Sequence, residues 1–290
     1  LYQLYKKHEN QLIKFTIIKN LNAYLVNFYK MVKIGIIGGS GLDNPNLLSE
    51  FKEVSIKTPY GKPSSNLVAG KLNDTEVVIL SRHGKNHSIS PSNVPYRANI
   101  YALKKIGCTH IIATTACGSL KEEIKPGDLV FLNQFIDHTK NRQTTFFDKD
   151  KVIHLPCAEP FCHELRRLLA IAASELNLSH HRNGTVVTIE GPRFSTRAES
   201  HMFRRWGAEV INMSTVPEVN LANEAGICYC SIATVTDFDC WTEKEPVTFE
   251  EIVRVMSENA EKVKELIIKT LPKINNTNCE CKNKITEAIL

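Results

Sequence analysis

Short apolar runs rich in β-branched residues recur along the chain, and each gives way to a polar cluster. Six of them predict strands: Val32–Ile37, Glu76–Leu80, His110–Ala113, Thr185–Ile189, Glu209–Asn212 and Cys228–Val235. Between them, apolar positions at helical spacing predict helices over Tyr96–Ile106, Phe161–Leu176, Ser195–Trp206 and Thr248–Thr270. This alternation predicts an α/β sheet with helices on its faces. No Pro/Gly/Ser linker, repeat or low-complexity tract divides the 290 residues, so one large domain is expected.

The polar clusters carry the candidate chemistry. In chain order the strands lead into Gly38-Gly-Ser-Gly41, Arg82-His83, Thr114-Thr-Ala-Cys-Gly118, Glu190 with Phe194, Met213-Ser214, and Asp237 with Asp239. Open α/β sheets bind ligands beyond the carboxyl ends of their strands, so six such ends can converge on one crevice. Hydroxyls, an aromatic ring and paired carboxylates suit a neutral sugar and a purine. Two motifs are excluded. After Gly39-x-Gly41 a dinucleotide fingerprint needs Gly at position 44, where Asn44 stands. A hydrolase nucleophile elbow around Ser40 needs Gly at position 42, which is Leu42. Ser40 instead reads as a hydroxyl donor in a glycine turn that can aim backbone N–H groups at an anion.

Charge changes the picture little. Residues 1–30 hold five lysines against Glu9 and carry +4 of the formal +5, which leaves +1 for the rest. The remaining basic residues are scattered, without the stripe that nucleic-acid binding requires. Residues 1–30 also lack a cleavable signal pattern and a membrane-length apolar run. They are expected to be a leader outside the fold, with a basic targeting segment as the alternative. Nine cysteines, five of them in or beside apolar strand and helix segments, suit buried thiols in a reducing compartment. Cys228 and Cys230 share one strand face, which suits core packing. Cys279-Glu-Cys281 stands in a polar tail, residues 276–290, with no second Cys/His pair at ligand spacing, so no metal site is expected.

Together Gly38-Gly-Ser-Gly41, Ser81-Arg-His-Gly84, Thr114-Thr-Ala-Cys-Gly-Ser119, Glu190-Gly-Pro-Arg-Phe194 and Asn212-Met-Ser-Thr-Val-Pro-Glu218 resemble the trimeric purine nucleoside phosphorylase family, in motif order from about Met31 to about Leu271. The resemblance implies a single domain, residues 31–275, with a mixed central sheet flanked by helices. Within the family, enzymes for 6-oxopurines have Glu after the motif Phe and Asn at the end of the late strand. This chain has Ser195 and Asp237. A 6-amino group is a donor that an acceptor carboxylate suits, whereas a Glu facing an unprotonated N1 would be a buried unpaired charge, so adenine is favoured. Asp237-Phe-Asp239 with Trp241 is similar to the methylthioadenosine branch.

That branch implies phosphorolysis of methylthioadenosine to adenine and 5-methylthioribose 1-phosphate, with phosphate as co-substrate, no cofactor and no metal. Phosphate would be held by Ser40, Arg82, His83, Thr115, the Ala116 N–H and Ser214. Asp237 would be the general acid toward N7, provided burial or Asp239 raises its pKa. Asp239 supports it or caps a loop. Phe194 would pack on the ribose and the Met213 backbone near its hydroxyls, with Cys117, Gly118, Ile189 and Ser195 also binding the substrate. His87 belongs to the substrate or to the surface. Phe249, Ile252 and Val253 would wall the 5′ group, joined by His154 of a neighbouring subunit. Phe249 stands where the family usually has a smaller Val, and Ser40 and Ser214 where it has Thr. A homotrimer in the cytoplasm, or also in the nucleus, is implied. A broader purine nucleoside phosphorylase and a nucleoside-binding protein without turnover remain as alternatives.

Overall fold

The structure, a computed structural model, describes residues 32–38, 48–149, 151–242, 249–274 and 279–288, without the side chains of Phe249, Ile252 and Glu287. Residues 1–30 and Ser40 lie outside the described residues. All six predicted strands form: β1 (Lys33–Gly38), β4 (Thr75–Ser81), β5 (His110–Ser119), β9 (Thr185–Ile189), β10 (Val210–Asn212) and β11 (Cys228–Phe238). Their interiors are almost wholly buried, as continuous apolar runs in a doubly covered sheet should be.

Five further strands complete the sheet: β2 (Ser49–Val54), β3 (Leu67–Leu72), β6 (Leu129–Phe131), β7 (Gln134–His138) and β8 (His180–His181). Their sequences explain why periodicity does not reveal them. β2 reads SEFKEV and is exposed along nearly its whole length, and β3 is interrupted by Gly70. They form the antiparallel edge beside β4. β6 and β8 are two or three residues long and owe their conformation to pairing.

The predicted helices appear as α1 (Tyr96–Lys105), α2 (His163–Glu175), α3 (Arg197–Arg205) and α5 (Phe249–Thr270). Two others are α4 (Thr215–Glu224) and the single turn α6 (Lys284–Glu287). Pro217 hides α4 from a helix reading, and Glu218, Asn223 and Glu224 are buried on it where a surface helix would be polar and exposed. α3 begins on a capping box that the sequence spells as Thr196-x-x-Glu199: Thr196 Oγ1 accepts from Glu199 N at 3.2 Å, and Glu199 Oε2 from Thr196 N at 2.8 Å.

The strand order β2-β3-β4-β1-β5-β10-β9-β7 runs across a mixed sheet, with β11 paired to β5 and β6. The central strand is β5, whose whole length pairs with β11 on one edge. Its other edge changes partner: β1 pairs with His110–Ala113 and β10 with Gly118–Ser119. No described helix is long and apolar enough to cross a membrane.

The C-terminal segment differs from its sequence reading. Cys281 is 5% exposed, and the side chains of Cys279 and Cys281 lie against those of Cys162 and Cys228. The pair of partners that spacing along the chain does not show is supplied by the fold.

Candidate active site

Where β5 changes partner, its residues Thr114–Cys117 pair with β11 alone among the described strands. This is a switch point of the kind at which open sheets bind ligands. Ala116 is the one exposed position of β5, so the strand opens there to solvent. Thr115 and Gly118 stand three residues apart, about 10 Å along the strand, enough to separate an anion from a base by a sugar.

At the Thr115 end two predicted phosphate ligands meet: Thr115 Oγ1 and Ser214 Oγ are 3.0 Å apart. Asn212 sets this pair. Its Nδ2 donates to Thr115 Oγ1 at 3.2 Å and to Thr215 Oγ1 at 2.6 Å, while its Oδ1 accepts from Thr188 Oγ1 at 2.9 Å. All four side chains are buried. Because Asn212 donates to Thr115, the threonine's own proton points outward, to the Ala116 carbonyl at 3.2 Å, to Ser214 or to an anion.

Arg82 departs from its sequence reading. The fork expected to grip phosphate is bidentate on Glu218, Nε and Nη2 each at 2.8 Å, and Nη1 donates to the Thr114 carbonyl at 2.7 Å. Both partners are within the core, at 2% and 0% exposure. Burial works against the guanidinium charge, but Glu218 overcomes it and holds the Arg82 pKa above its ordinary value. Two N–H donors of five remain for an anion.

His83 also changes role. Burial, aided by the Arg82 charge, pulls its pKa down to about 4, so the ring is neutral near neutral pH. Its Nδ1 lies 2.9 Å from the Ile89 carbonyl, a contact that places the proton on Nδ1. Nε2 is therefore an acceptor and not the donor expected from sequence. The exposed ring of His87 stacks on it with centroids 4.4 Å apart.

At the Gly118 end a bulge in β11 between Val235 and Asp237 redirects the strand, and Asp237 then pairs with Gly118. Asp237 is half-buried. Burial raises its pKa, Asp239 adds to that, and the hydrogen bond from Thr236 Oγ1 at 2.6 Å opposes it. Gly118 makes room: a Cβ there would lie 3.2 Å from Asp237 Oδ1 and 3.3 Å from Asp239 Cβ. Asp239 accepts from Ser195 Oγ at 2.8 and 2.7 Å. Ser195 therefore fastens the Phe194 loop to the end of β11. Trp241 Nε1 and the Asp239 N–H both donate to the Ser119 carbonyl, at 2.8 and 3.0 Å, which pins the loop after β11 onto β5.

The remaining predicted residues divide between floor and rim. Cys117 is buried, and Ile189 at 7% exposure packs with Leu120, Val187, Phe203 and Ile211, so both side chains belong to the core. Met213 packs on that cluster and over Gly191, where φ is +68° and a Cβ would meet Met213 Sδ at 2.5 Å. Phe194 is 77% exposed and stands free of the core. Val253 and His154 are exposed in the single chain. The side chains of Phe249 and Ile252 and all of Ser40 lie outside the described residues.

Sequence reasoning missed the brackets around this crevice. Besides Asn212 and Glu218, Arg142 donates to the Val216 carbonyl at 2.6 Å, the Glu190 carbonyl at 2.7 Å and Glu190 Oε1 at 3.2 Å. It ties the end of β9 to the start of α4. The offsets are 74 and 48 positions, so only the Glu190-Gly-Pro motif itself hinted that this corner is fixed.

The model of the phosphorylase superfamily matches residues 33–272. S-methyl-5′-thioadenosine phosphorylase of Danio rerio is 55% identical over 249 residues, covering 84% of this chain and 89% of that protein. Its namesake from Pyrococcus furiosus is 54% identical over 253 residues, 87% of this chain and 96% of that one. Methylthioadenosine phosphorylase from Schistosoma mansoni, solved with adenine, superposes with a TM-score of 0.80 at 46% identity, over 84% of this chain and 92% of that one. A variant of the Schistosoma mansoni adenosine/methylthioadenosine phosphorylase, solved with methylthioadenosine, gives 0.79 at 45%, over 84% and 91%. The chain belongs to the phosphorylase superfamily and, within it, to the S-methyl-5′-thioadenosine phosphorylase family.

Proposed function

We propose that the chain cleaves S-methyl-5′-thioadenosine with inorganic phosphate, giving adenine and 5-methylthioribose 1-phosphate. The observation that carries the reading is Asp237: a carboxyl with a raised pKa, aimed by a bulge at the end of the central sheet. A phosphate oxygen attacks the anomeric carbon as the glycosidic bond breaks. The bond's electron pair passes into the purine, and a proton from Asp237 to N7 neutralises it. The rest is positioning and electrostatics without a covalent intermediate, and it needs no cofactor beyond phosphate.

Thr115, Ser214, the Ala116 N–H and Ser40 hold the anion in this reading. Arg82 adds its two spare donors, and neutral His83 accepts a hydrogen from the phosphate monoanion through Nε2. With Glu218 offsetting the Arg82 charge, hydroxyl and backbone donors carry more of the anion affinity than a bare guanidinium would. Phe194 covers the ribose. Its exposure, with that of Val253 and His154, supports a homotrimer in which a neighbouring subunit closes the 5′ pocket. A reducing cytoplasm suits the buried thiols.

The test is adenine or hypoxanthine release from methylthioadenosine, adenosine and inosine, each with and without phosphate. Phosphate-dependent release from methylthioadenosine with inosine inert is expected. Comparable turnover of inosine overturns the adenine assignment, and release from none of them overturns the activity.

A further inference from the structure

Four cysteines from three separate parts of the chain converge on one point. Cys162 precedes the 13-residue helix α2, Cys228 opens β11, and Cys279 and Cys281 flank Glu280 in the C-terminal segment. Their four Sγ atoms all lie within 4.8 Å of one another. Cys162, Cys228 and Cys281 are at most 5% exposed. The first two are set by rigid elements, because the Cys162 N–H donates to the Tyr229 carbonyl at 2.8 Å and joins the start of α2 to the start of β11.

Zinc bound by four thiolates at about 2.3 Å holds its sulfurs about 3.8 Å apart, inside this envelope, and its binding widens the Cys228–Cys279 pair, whose sulfurs are 3.0 Å apart without it. An iron–sulfur cluster places irons and sulfides between its thiolates and needs a wider cage. An all-thiolate set selects soft or borderline ions over magnesium or calcium. Four thiolates around Zn²⁺ carry a net charge of −2, and the first turn of α2, which Cys162 leads into, presents a positive helix end. Lys282, next to Cys281, adds a full positive charge.

We propose that Cys162, Cys228, Cys279 and Cys281 bind one zinc ion, which ties residues 279–288 to the phosphorylase domain. Binding releases four thiol protons and moves no electrons. Cys228 and Asp237 stand at opposite ends of β11, nine residues and about 30 Å apart, so the ion's work is structural.

The experiment uses the full chain, produced with zinc in the medium and purified under nitrogen without chelator. Elemental analysis is expected to give one zinc per chain, falling to none in the Cys279→Ser/Cys281→Ser variant. Cobalt exchanged into the unmodified chain is expected to give the intense visible bands and sulfur-to-metal charge transfer of tetrahedral four-thiolate cobalt. The cobalt spectrum decides the matter even where the variant fails to fold. Removing zinc is expected to lower Tm and expose residues 279–288 to protease, with kcat unchanged at low temperature. Alkylation and intact mass under denaturing, non-reducing conditions give the opposing results. Resistance of all four positions to alkylation would mean disulfides, and four alkylated thiols from a metal-free chain would mean packed thiols. Either result, or stoichiometric copper or iron in place of zinc, overturns the proposal.

Discussion

Replacing Glu218 with Gln tests whether the Arg82–Glu218 pair holds the anion corner together. Glu218 is 0% exposed and accepts three hydrogen bonds, two from Arg82 at 2.8 Å and one from Tyr229 Oη at 2.7 Å. Glutamine keeps the shape but has one acceptor oxygen, and since both Glu218 oxygens accept from Arg82 its amide must point a donor at Arg82 in either orientation. The result is a buried guanidinium without its counter-charge, which costs about 3–5 kcal/mol. Against a total stability of about 5–15 kcal/mol this is a large fraction. With about 2–4 °C per kcal/mol for a chain of this size class, Tm should fall by about 6–20 °C. Calorimetry or urea unfolding measures it. The internal control is Glu258→Gln, which removes the exposed partner of Arg254 at 2.6 Å and should cost no more than about 1 kcal/mol. A second arm, Arg82→Met/Glu218→Gln, takes the stranded charge away and should be more stable than Glu218→Gln alone. If Glu218→Gln costs no more than the exposed control, or the double variant is the less stable, Arg82 does not depend on Glu218 and the argument fails.

Asp237→Asn removes the raised-pKa carboxyl and should lower kcat for methylthioadenosine by about 10²–10⁴ while KM for phosphate stays put; an unchanged kcat would sink the acid role. Gly118→Ala sets a Cβ 3.2 Å from Asp237 Oδ1 and should reduce kcat with little loss of Tm, whereas wild-type turnover would show that the carboxylate has room to spare. For His83 the unfolded chain takes up a proton near 6.5 and the folded chain only near 4. Between those values the unfolded state binds more protons, so stability falls as pH drops through the window. Urea midpoints across it should slope less in His83→Gln than in the parent, and parallel slopes would contradict the neutral ring.

What the sequence reveals of this molecule follows the range of the interaction. The six main strands are apolar runs whose burial needs no named partner, and composition alone marks them. Edge strand β2, exposed on both faces, exists because β3 pairs with it, and that pairing has no signature in SEFKEV. The same division runs through the site. Thr115, Ser214 and Asp237 are legible because each follows an apolar run, although β5 and β11 continue through Thr115 and Asp237. What each of them does depends on a residue from elsewhere in the chain. Thr115 is aimed by Asn212, 97 positions away, and the Arg82 fork is taken by Glu218, 136 positions away. Arg82 and His83 show the cost of reading residue types alone. An Arg-His pair after a strand suggests two donors for an anion, yet burial turned one toward a carboxylate and left the other neutral with its lone pair outward. The same desolvation raises Asp237, because its carboxylate pays for lost water where Arg82 is repaid by Glu218. A carboxyl with a raised pKa beside Gly118 and a charge-balanced guanidinium near Thr115 are thus two outcomes of one buried switch point, separated by whether a counter-charge came with the fold.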